Sequence, residues 1–259
     1  MILVALILHP INTSLKLYYW LFGRFILYPL MGWLARRIDV RFLNFGYLPI
    51  DSGREGRPTS VGRGAGNKDD VIMKHVRKFL PTGDLTLAHC LLYEKALSMC
   101  EQYYPQFPEG ARLLEVGCGL GGGMGWLRKA HPEFIDVVGV DKVASREGVI
   151  SATAEELPEW VEHFDVVINI ESSHAYSDVN RFLANCYRVL KPGGHLCWAD
   201  LREVEKMPQV LENAAGAGFE RLAFEMITPQ VIKGIHATAA RYDKLMEEVV
   251  SGDSWIVDG

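Results

Sequence analysis

ARLLEVGCGLGGGMG, residues 111–125, is the stretch whose reading decides the fold. Arg112–Val116 is a short apolar run bounded by turn-formers, the pattern of a buried strand. Gly117, Gly119, Gly121, Gly122, Gly123 and Gly125 follow, and Met124–Lys129 then reads as a helix. Glycine has no Cβ and tolerates positive φ, so such a loop lets backbone approach a ligand closely. The helix behind it aims its N-terminus at the same ligand. Gly117, Gly119 and Gly122 also satisfy G-x-G-x-x-G, the fingerprint of dinucleotide sites, which alone is weak. Glu115 separates the two classes, because a carboxylate directly before the loop repels a pyrophosphate and holds a cationic amino-acid ligand. No G-x-x-x-x-G-K-[ST] is present, so a nucleoside-triphosphate loop is excluded.

Working outward, Asp136–Val140 reads as a second strand ending in Asp141. An acidic residue about 20 positions beyond the glycines is placed to receive ribose hydroxyls. Only Lys142–Gly148 separate it from the strand-like run Val149–Ala152, whereas a parallel crossover takes a dozen or more residues. That link spans at most about 25 Å, too little for a covering helix, so Val149–Ala152 is expected to be a poor or absent edge strand. His163–Ile170 is the most regular strand, and it leads into E-S-S-H-A-Y. His174 there lies beyond a strand's carboxyl end, where open α/β sheets bind ligands, and imidazole is the commonest general base. Glu171 or Tyr176 is expected to orient it. Asp178–Lys191 is an amphipathic helix stopped by Pro192, with Gly193 and Gly194 making the turn into a fifth strand, His195–Asp200. Pro208–Gly218 is a further helix, Phe219–Ile227 a sixth strand and Thr228–Val250 helical, which leaves only Ser254–Val257 for a seventh.

The chain has 259 residues, 49% hydrophobic and 23% charged, with a formal net charge of -5. This is ordinary globular composition and argues against a nucleic-acid partner. The five cysteines are scattered without a C-x-x-C pair, and no H-x-x-x-H spacing occurs, so neither a disulfide framework nor a metal site is expected. Residues 1–38 differ from the rest. Met1–Leu8 and Leu15–Ala35 are rich in leucine and aromatic residues with sparse basic charge, and Arg24 and Pro29 interrupt any span of about 20 apolar residues. This suits a segment lying in a membrane interface or capping the core. Residues 39–110 read as an N-terminal cap: a polar-aromatic turn with Asn44 and Tyr47, a glycine-rich loop over 51–70, and a helix over Leu85–Gln102 carrying His89 and Tyr93 one turn apart. Residues 111–259 are the ligand-binding core.

The order E-V-G-C-G-L-G, Asp141, N-I-E-S-S-H-A-Y, R-V-L-K-P-G-G and W-A-D-L-R resembles the class I S-adenosylmethionine (SAM)-dependent methyltransferases. More narrowly it is similar to the phthiotriol/phenolphthiotriol dimycocerosate O-methyltransferases, including Y-P-L-M at 28–31, F-L-N-F-G-Y at 42–47 and T-P-Q-V-I-K-G-I at 228–235. The resemblance implies a three-layer Rossmann-like α/β sandwich, here with its sheet incomplete at the third and seventh strands. It implies SAM as cofactor, and a lipophilic hydroxyl compound as acceptor in a cytoplasmic or peripherally membrane-bound enzyme. Glu115, Gly117, Gly119, Gly121 and Asp141 carry over as cofactor contacts, and Asn44 and His174 as further site residues. Cys118 in the loop, Ala154 and Glu155 in T-A-E-E-L-P (a segment that resembles the adenine lining), Asn169 at the strand end and Tyr47 complete the set. Competing readings are an impaired, non-catalytic binding protein, a C-methyltransferase, and an NAD-dependent oxidoreductase.

Overall fold

The structure, a computed structural model, describes residues 2–6, 42–50, 68–142 and 148–251. Its frame is a seven-stranded sheet of β1 (Ile2–Leu6), β2 (Ala111–Val116), β3 (Phe134–Asp141), β4 (Val149–Ser151), β5 (Phe164–Ile170), β6 (Leu190–Leu201) and β7 (Ala223–Met226), in the order β4-β3-β2-β5-β6-β1-β7. Every neighbouring pair is parallel. The helices are α1 (Lys68–Val76), α2 (Leu87–Leu97), α3 (Gly122–Ala130), α4 (Val179–Val189), α5 (Met207–Gly216) and α6 (Thr228–Ser251).

The central strands are apolar throughout because helices cover both faces of the sheet. Successive side chains alternate between the faces. Leu113, Val137, Val166, Ile168, Cys197 and Ala199 join the core under α1, α2 and α3. Leu114, Val116, Val140, Val167, Leu196 and Trp198 join the core under α4 and α5. Helix α4 shows how locally this is written. The Asp178 carboxylate accepts from the backbone N–H groups of Asn180 and Arg181, both at 3.0 Å, a cap worth about 1 kcal/mol. The helix then buries Phe182, Leu183, Cys186 and Val189 on one stripe. Helix α2 is buried along nearly its whole length, so the described parts of this region, 42–50 and 68–110, share a core with the sheet.

Four expectations are corrected. Val149–Ser151 is the poor edge strand expected, only three residues long, but it pairs Gly139 with Val149 through Asp141 with Ser151, so β3 is not the effective edge. A strand of three residues needs a return of only about 10 Å, well within the reach of a seven-residue link. The seventh position is filled by β1, set parallel between β6 and β7. Ile2–Leu6 therefore belongs to the sheet and not to a lid or membrane-facing segment. The K-P-G-G stretch does not end a turn before the strand. It lies within β6 as a bulge, since Phe164 pairs with Leu190 and Val166 already with His195. The remaining expectations for 7–41, 51–67 and Ser254–Val257 lie outside the described residues. Among those described, no helix is long and apolar enough to cross a membrane.

Removing residues 1–6 turns β6 into an edge and isolates β7. Thermal unfolding of that shortened chain is expected at a clearly lower temperature than for the full chain. An unchanged midpoint would show that the strand contributes nothing to the sheet.

Candidate active site

The chain leaves β2 at the centre of the sheet, builds β3 and β4 to one side, and then crosses to β5 on the other. The gap between the ends of β2 and β5 is thus a switch point, where open α/β sheets place their ligands. The glycine loop forms one wall. Gly117, Gly119 and Gly121 have φ of 76°, 52° and 76°, a region L side chains rarely adopt. A Cβ on Gly117 would lie 2.1 Å from Ser172 Oγ and 2.6 Å from Tyr176 Oη, so only glycine fits. The loop is pinned to the end of β3: Gly117 and Cys118 N–H donate to the Val140 carbonyl at 2.8 and 3.1 Å, and Gly119 N–H donates to Asp141 Oδ2 at 2.8 Å.

Glu115 lies behind the loop and is almost wholly buried. Tyr93 Oη donates to its Oε1 at 2.6 Å, while its Oε2 has no protein partner. Burial pushes its carboxyl up to about 8, against the Tyr93 hydrogen bond. A buried acceptor left open beside a glycine cradle suits a ligand with a cationic head, because leaving such a group unpaired costs roughly 1–3 kcal/mol. The residues present therefore fit SAM. At the T-A-E-E-L-P segment expected to line the adenine, Ala154 is buried and its carbonyl accepts from Asn185 at 3.1 Å. The Glu155 carboxylate accepts from Ser177 N–H at 2.9 Å and Oγ at 3.0 Å. Although burial raises it, these bonds and those from neighbouring backbone hold the Glu155 carboxyl below its usual range.

The second wall follows β5, where Ser173–Ala175 form a single 3-10 turn. His174 projects from it with its side chain 35% exposed, and its Nδ1–H donates to Asp200 Oδ1 at 2.7 Å. An ionised carboxylate only accepts, so this bond places the proton on Nδ1 and leaves Nε2 as the basic lone pair. Asp200, at the end of β6, is 2% exposed. It also accepts from Ser173 Oγ and pairs with Arg202 at 3.1 Å. Burial raises its carboxyl, but the His174 hydrogen bond and the Arg202 charge outweigh this and hold it below the usual carboxylate range.

The partner expected for His174 is therefore corrected. Glu171 is turned away, with its Oε2 accepting from Phe45 N–H at 2.7 Å, and its backbone adopts a φ of 45°. Burial pushes its carboxyl up to about 8. Tyr176 Oη instead meets Ser172 Oγ at 2.9 Å and accepts from Asn169 Nδ2 at 3.0 Å. Asn169 is fully buried and also donates to the Val116 carbonyl at 2.7 Å, so it braces the two loops from beneath. Asn44 Oδ1 bonds His89 Nδ1 at 3.0 Å. Tyr47 is fully buried and donates to Asp69 at 2.8 Å, which places it in the cap's core and outside the cleft. Sequence reasoning missed Asp200. The signal available was W-A-D-L-R itself, a lone acid after an apolar strand beside the strand that carries His174.

Glu115 yields a pH signature. Its folded-state value of about 8 lies above the ordinary 4.5, so the folded protein keeps a proton that the unfolded chain has lost. The group's contribution to stability therefore falls as pH rises from about 4.5 to about 8 and levels off above. Glu115→Gln mimics the protonated form. Without cofactor it is expected to unfold at higher denaturant than the parent near pH 8.5, with the gap closing towards about pH 5. A gap independent of pH would mean that Glu115 titrates normally.

Comparison with known proteins agrees with this geometry. Residues 114–198 match the family described as a methyltransferase domain. The chain is 30% identical over 247 residues to phthiotriol/phenolphthiotriol dimycocerosates methyltransferase of Mycobacterium leprae, covering 91% of this chain and 80% of that protein. The protein of the same name from Mycobacterium tuberculosis is 32% identical over 192 residues, covering 67% and 69%. Fatty-acid O-methyltransferase of Mycolicibacterium smegmatis is 32% identical over 152 residues, covering 54% and 56%. In fold, phosphoethanolamine N-methyltransferase 2 of Haemonchus contortus, solved with S-adenosylhomocysteine, superposes with a TM-score of 0.50 at 19% identity over 69% of this chain and 48% of that one. The chain belongs to the class I SAM-dependent methyltransferase family.

Proposed function

We propose that the protein transfers the methyl group of SAM to a hydroxyl of a lipophilic small molecule, with His174 as general base. The observation that carries this reading is the His174–Asp200 pair, 2.7 Å apart at the mouth of the switch point. The cofactor supplies an electrophilic methyl group on a sulfonium, and the protein's tasks are to align the acceptor and remove its proton. His174 Nε2, which carries no proton while Nδ1–H bonds Asp200, takes the proton from the attacking hydroxyl. Asp200 keeps the ring oriented and stabilises the imidazolium that results. Glu115, the glycine loop and Asp141 would hold the cofactor, Asp141 through its own carboxylate and through its bond to Gly119.

An apolar acceptor is supported at the rim. Leu43 and Phe45 are 44% and 41% exposed, and their segment lies between the two walls. Leu43 Cδ1 lies 3.5 Å from the position a Cβ on Gly119 would take, and Phe45 N–H holds Glu171. The relatives' names, one a fatty-acid O-methyltransferase, point to the same acceptor class. The peripheral membrane contact expected from the sequence covers residues 1–35; with Ile2–Leu6 in the sheet, its Leu15–Ala35 part would bring the enzyme to such acceptors. Flotation of the full chain with anionic liposomes tests this, and complete recovery in the unbound fraction would reject it.

His174→Ala is expected to leave SAM affinity nearly unchanged and to lower turnover roughly 10²–10⁴-fold on an alcohol or phenol acceptor. Asp200→Asn should lower turnover in the same direction. Full turnover in His174→Ala would remove the O-methyl mechanism and favour transfer to carbon. Asp141→Ala should weaken SAM binding by roughly 1.5–3 kcal/mol, the range for charge-assisted hydrogen bonds, as read by calorimetry. Absence of SAM binding by the parent protein would favour a non-catalytic role.

A further inference from the structure

A second cluster of titratable groups lies away from the methyl-transfer site and is used by none of its chemistry. Adjacent residues of α2 face the two places. Tyr93 donates to Glu115 beneath the glycine loop, whereas Glu94 points into a buried space walled by Phe79, Tyr104, Phe107 and Trp126. There it meets His75 from the end of α1 and His131 from the end of α3. His131 Nε2 is 3.2 Å from each Glu94 oxygen, and His75 Nε2 is 3.7 Å from Glu94 Oε2. One donor atom from each residue falls within 4.8 Å of the other two, and all three residues are buried.

His131 and Glu94 alone would make an ordinary internal ion pair, but that account leaves His75 over. His75 is 7% exposed, and neither of its ring nitrogens has a hydrogen-bond partner. Buried polar side chains are otherwise nearly always satisfied. We propose that His75, Glu94 and His131 bind a single divalent transition-metal ion of the zinc type. The coordinating atoms would be His75 Nε2, a Glu94 oxygen and His131 Nε2.

Donor chemistry, spacing and charge agree with this. Two imidazoles and a carboxylate form a ligand set for zinc, whose bonds of about 2.0–2.1 Å put tetrahedral donors roughly 3.3 Å apart; the separations to Glu94 are 3.2 and 3.7 Å. Metal-bound histidines typically donate their other N–H to a carboxylate, which fixes the ring and raises its basicity. His131 Nδ1 meets Glu133 Oε1 at 3.1 Å, and Glu133 is itself held by Phe107 N–H at 3.0 Å. Trp126 Nε1–H orients the Glu94 carboxylate at 2.8 Å. Two buried carboxylates, Glu94 and Glu133, lie against His131, and a dication held by neutral imidazoles would balance their charge. The Tyr104 ring lies 5.9 Å from that of His75, its buried hydroxyl has no hydrogen-bond partner, and it or a water would supply the fourth position. Such an ion would tie α1, α2 and α3 together, a structural role set apart from methyl transfer.

The test uses the full chain, freed of metal by a chelator and titrated with zinc and, separately, with cobalt(II). One equivalent is expected to bind, raising the thermal midpoint, and cobalt is expected to give the intense visible bands of a tetrahedral site. His75→Ala removes a side chain that makes no hydrogen bonds, so it should fold. It is expected to lose zinc affinity by more than about 100-fold, and Glu133→Gln by roughly 10–100-fold. Zinc affinity no tighter than millimolar, or affinity unchanged in His75→Ala, would overturn the proposal.

Discussion

Two loops, one after β2 and one after β5, approach so closely that Gly117 leaves no room for a Cβ against Ser172 and Tyr176. The rest of the site depends on that contact. Asn169 braces it from beneath by donating to both the Val116 carbonyl and Tyr176 Oη. Neither loop can shift without breaking bonds in a buried network, where a lost partner costs more than at the surface. The cofactor cradle and the turn bearing His174 are therefore one rigid object. Methyl transfer is an in-line displacement, and its rate rests on fixed relative positions of donor and acceptor.

The sheet supplies the second half of this arrangement. β5 and β6 are neighbours in parallel register, with Ile170 opposite Ala199, so the next residues on each strand emerge side by side at the same edge. Asp200 gains access to the β5 loop in this way. It is a buried anion met by His174, Ser173, Arg202 and the Leu201 N–H. That many donors keep the carboxylate ionised in spite of burial, and an ionised carboxylate is what holds the histidine in one tautomer. Glu171, with a single backbone donor, has a raised pKa and instead clasps the 42–50 segment over the cleft. Two acids at adjacent strand ends thus take opposite protonation states and opposite tasks.

What was legible in the sequence was what local chemistry determines. The strand–glycine–helix unit, Asp141 at the next strand end, the run over Phe164–Ile170 and the stripe of α4 each carry their signal within a few residues. What was hidden depends on residues brought together from far apart. The partner of His174 follows only from strand order and register, and the nearer Glu171 and Tyr176 were the natural but mistaken choices. The Met1–Leu8 run is apolar on every position, so periodicity could not tell a sheet strand from a membrane-facing one. The short link to β4 misled because the rule for crossovers assumes strands of ordinary length. His75, Glu94 and His131 come from three different helices, with no spacing between them that sequence could flag.

The place of β1 has a consequence for biosynthesis. Ile2 lies opposite Cys197 and Ala223, so β1 pairs with the two described strands most distant from it in sequence. Throughout vectorial synthesis of the intervening chain, a strongly apolar segment waits without its neighbours. Contacts this distant in sequence slow folding, and unpaired apolar strands invite aggregation in the interval. Closure of this side of the sheet must therefore wait until β6 and β7 have been synthesised.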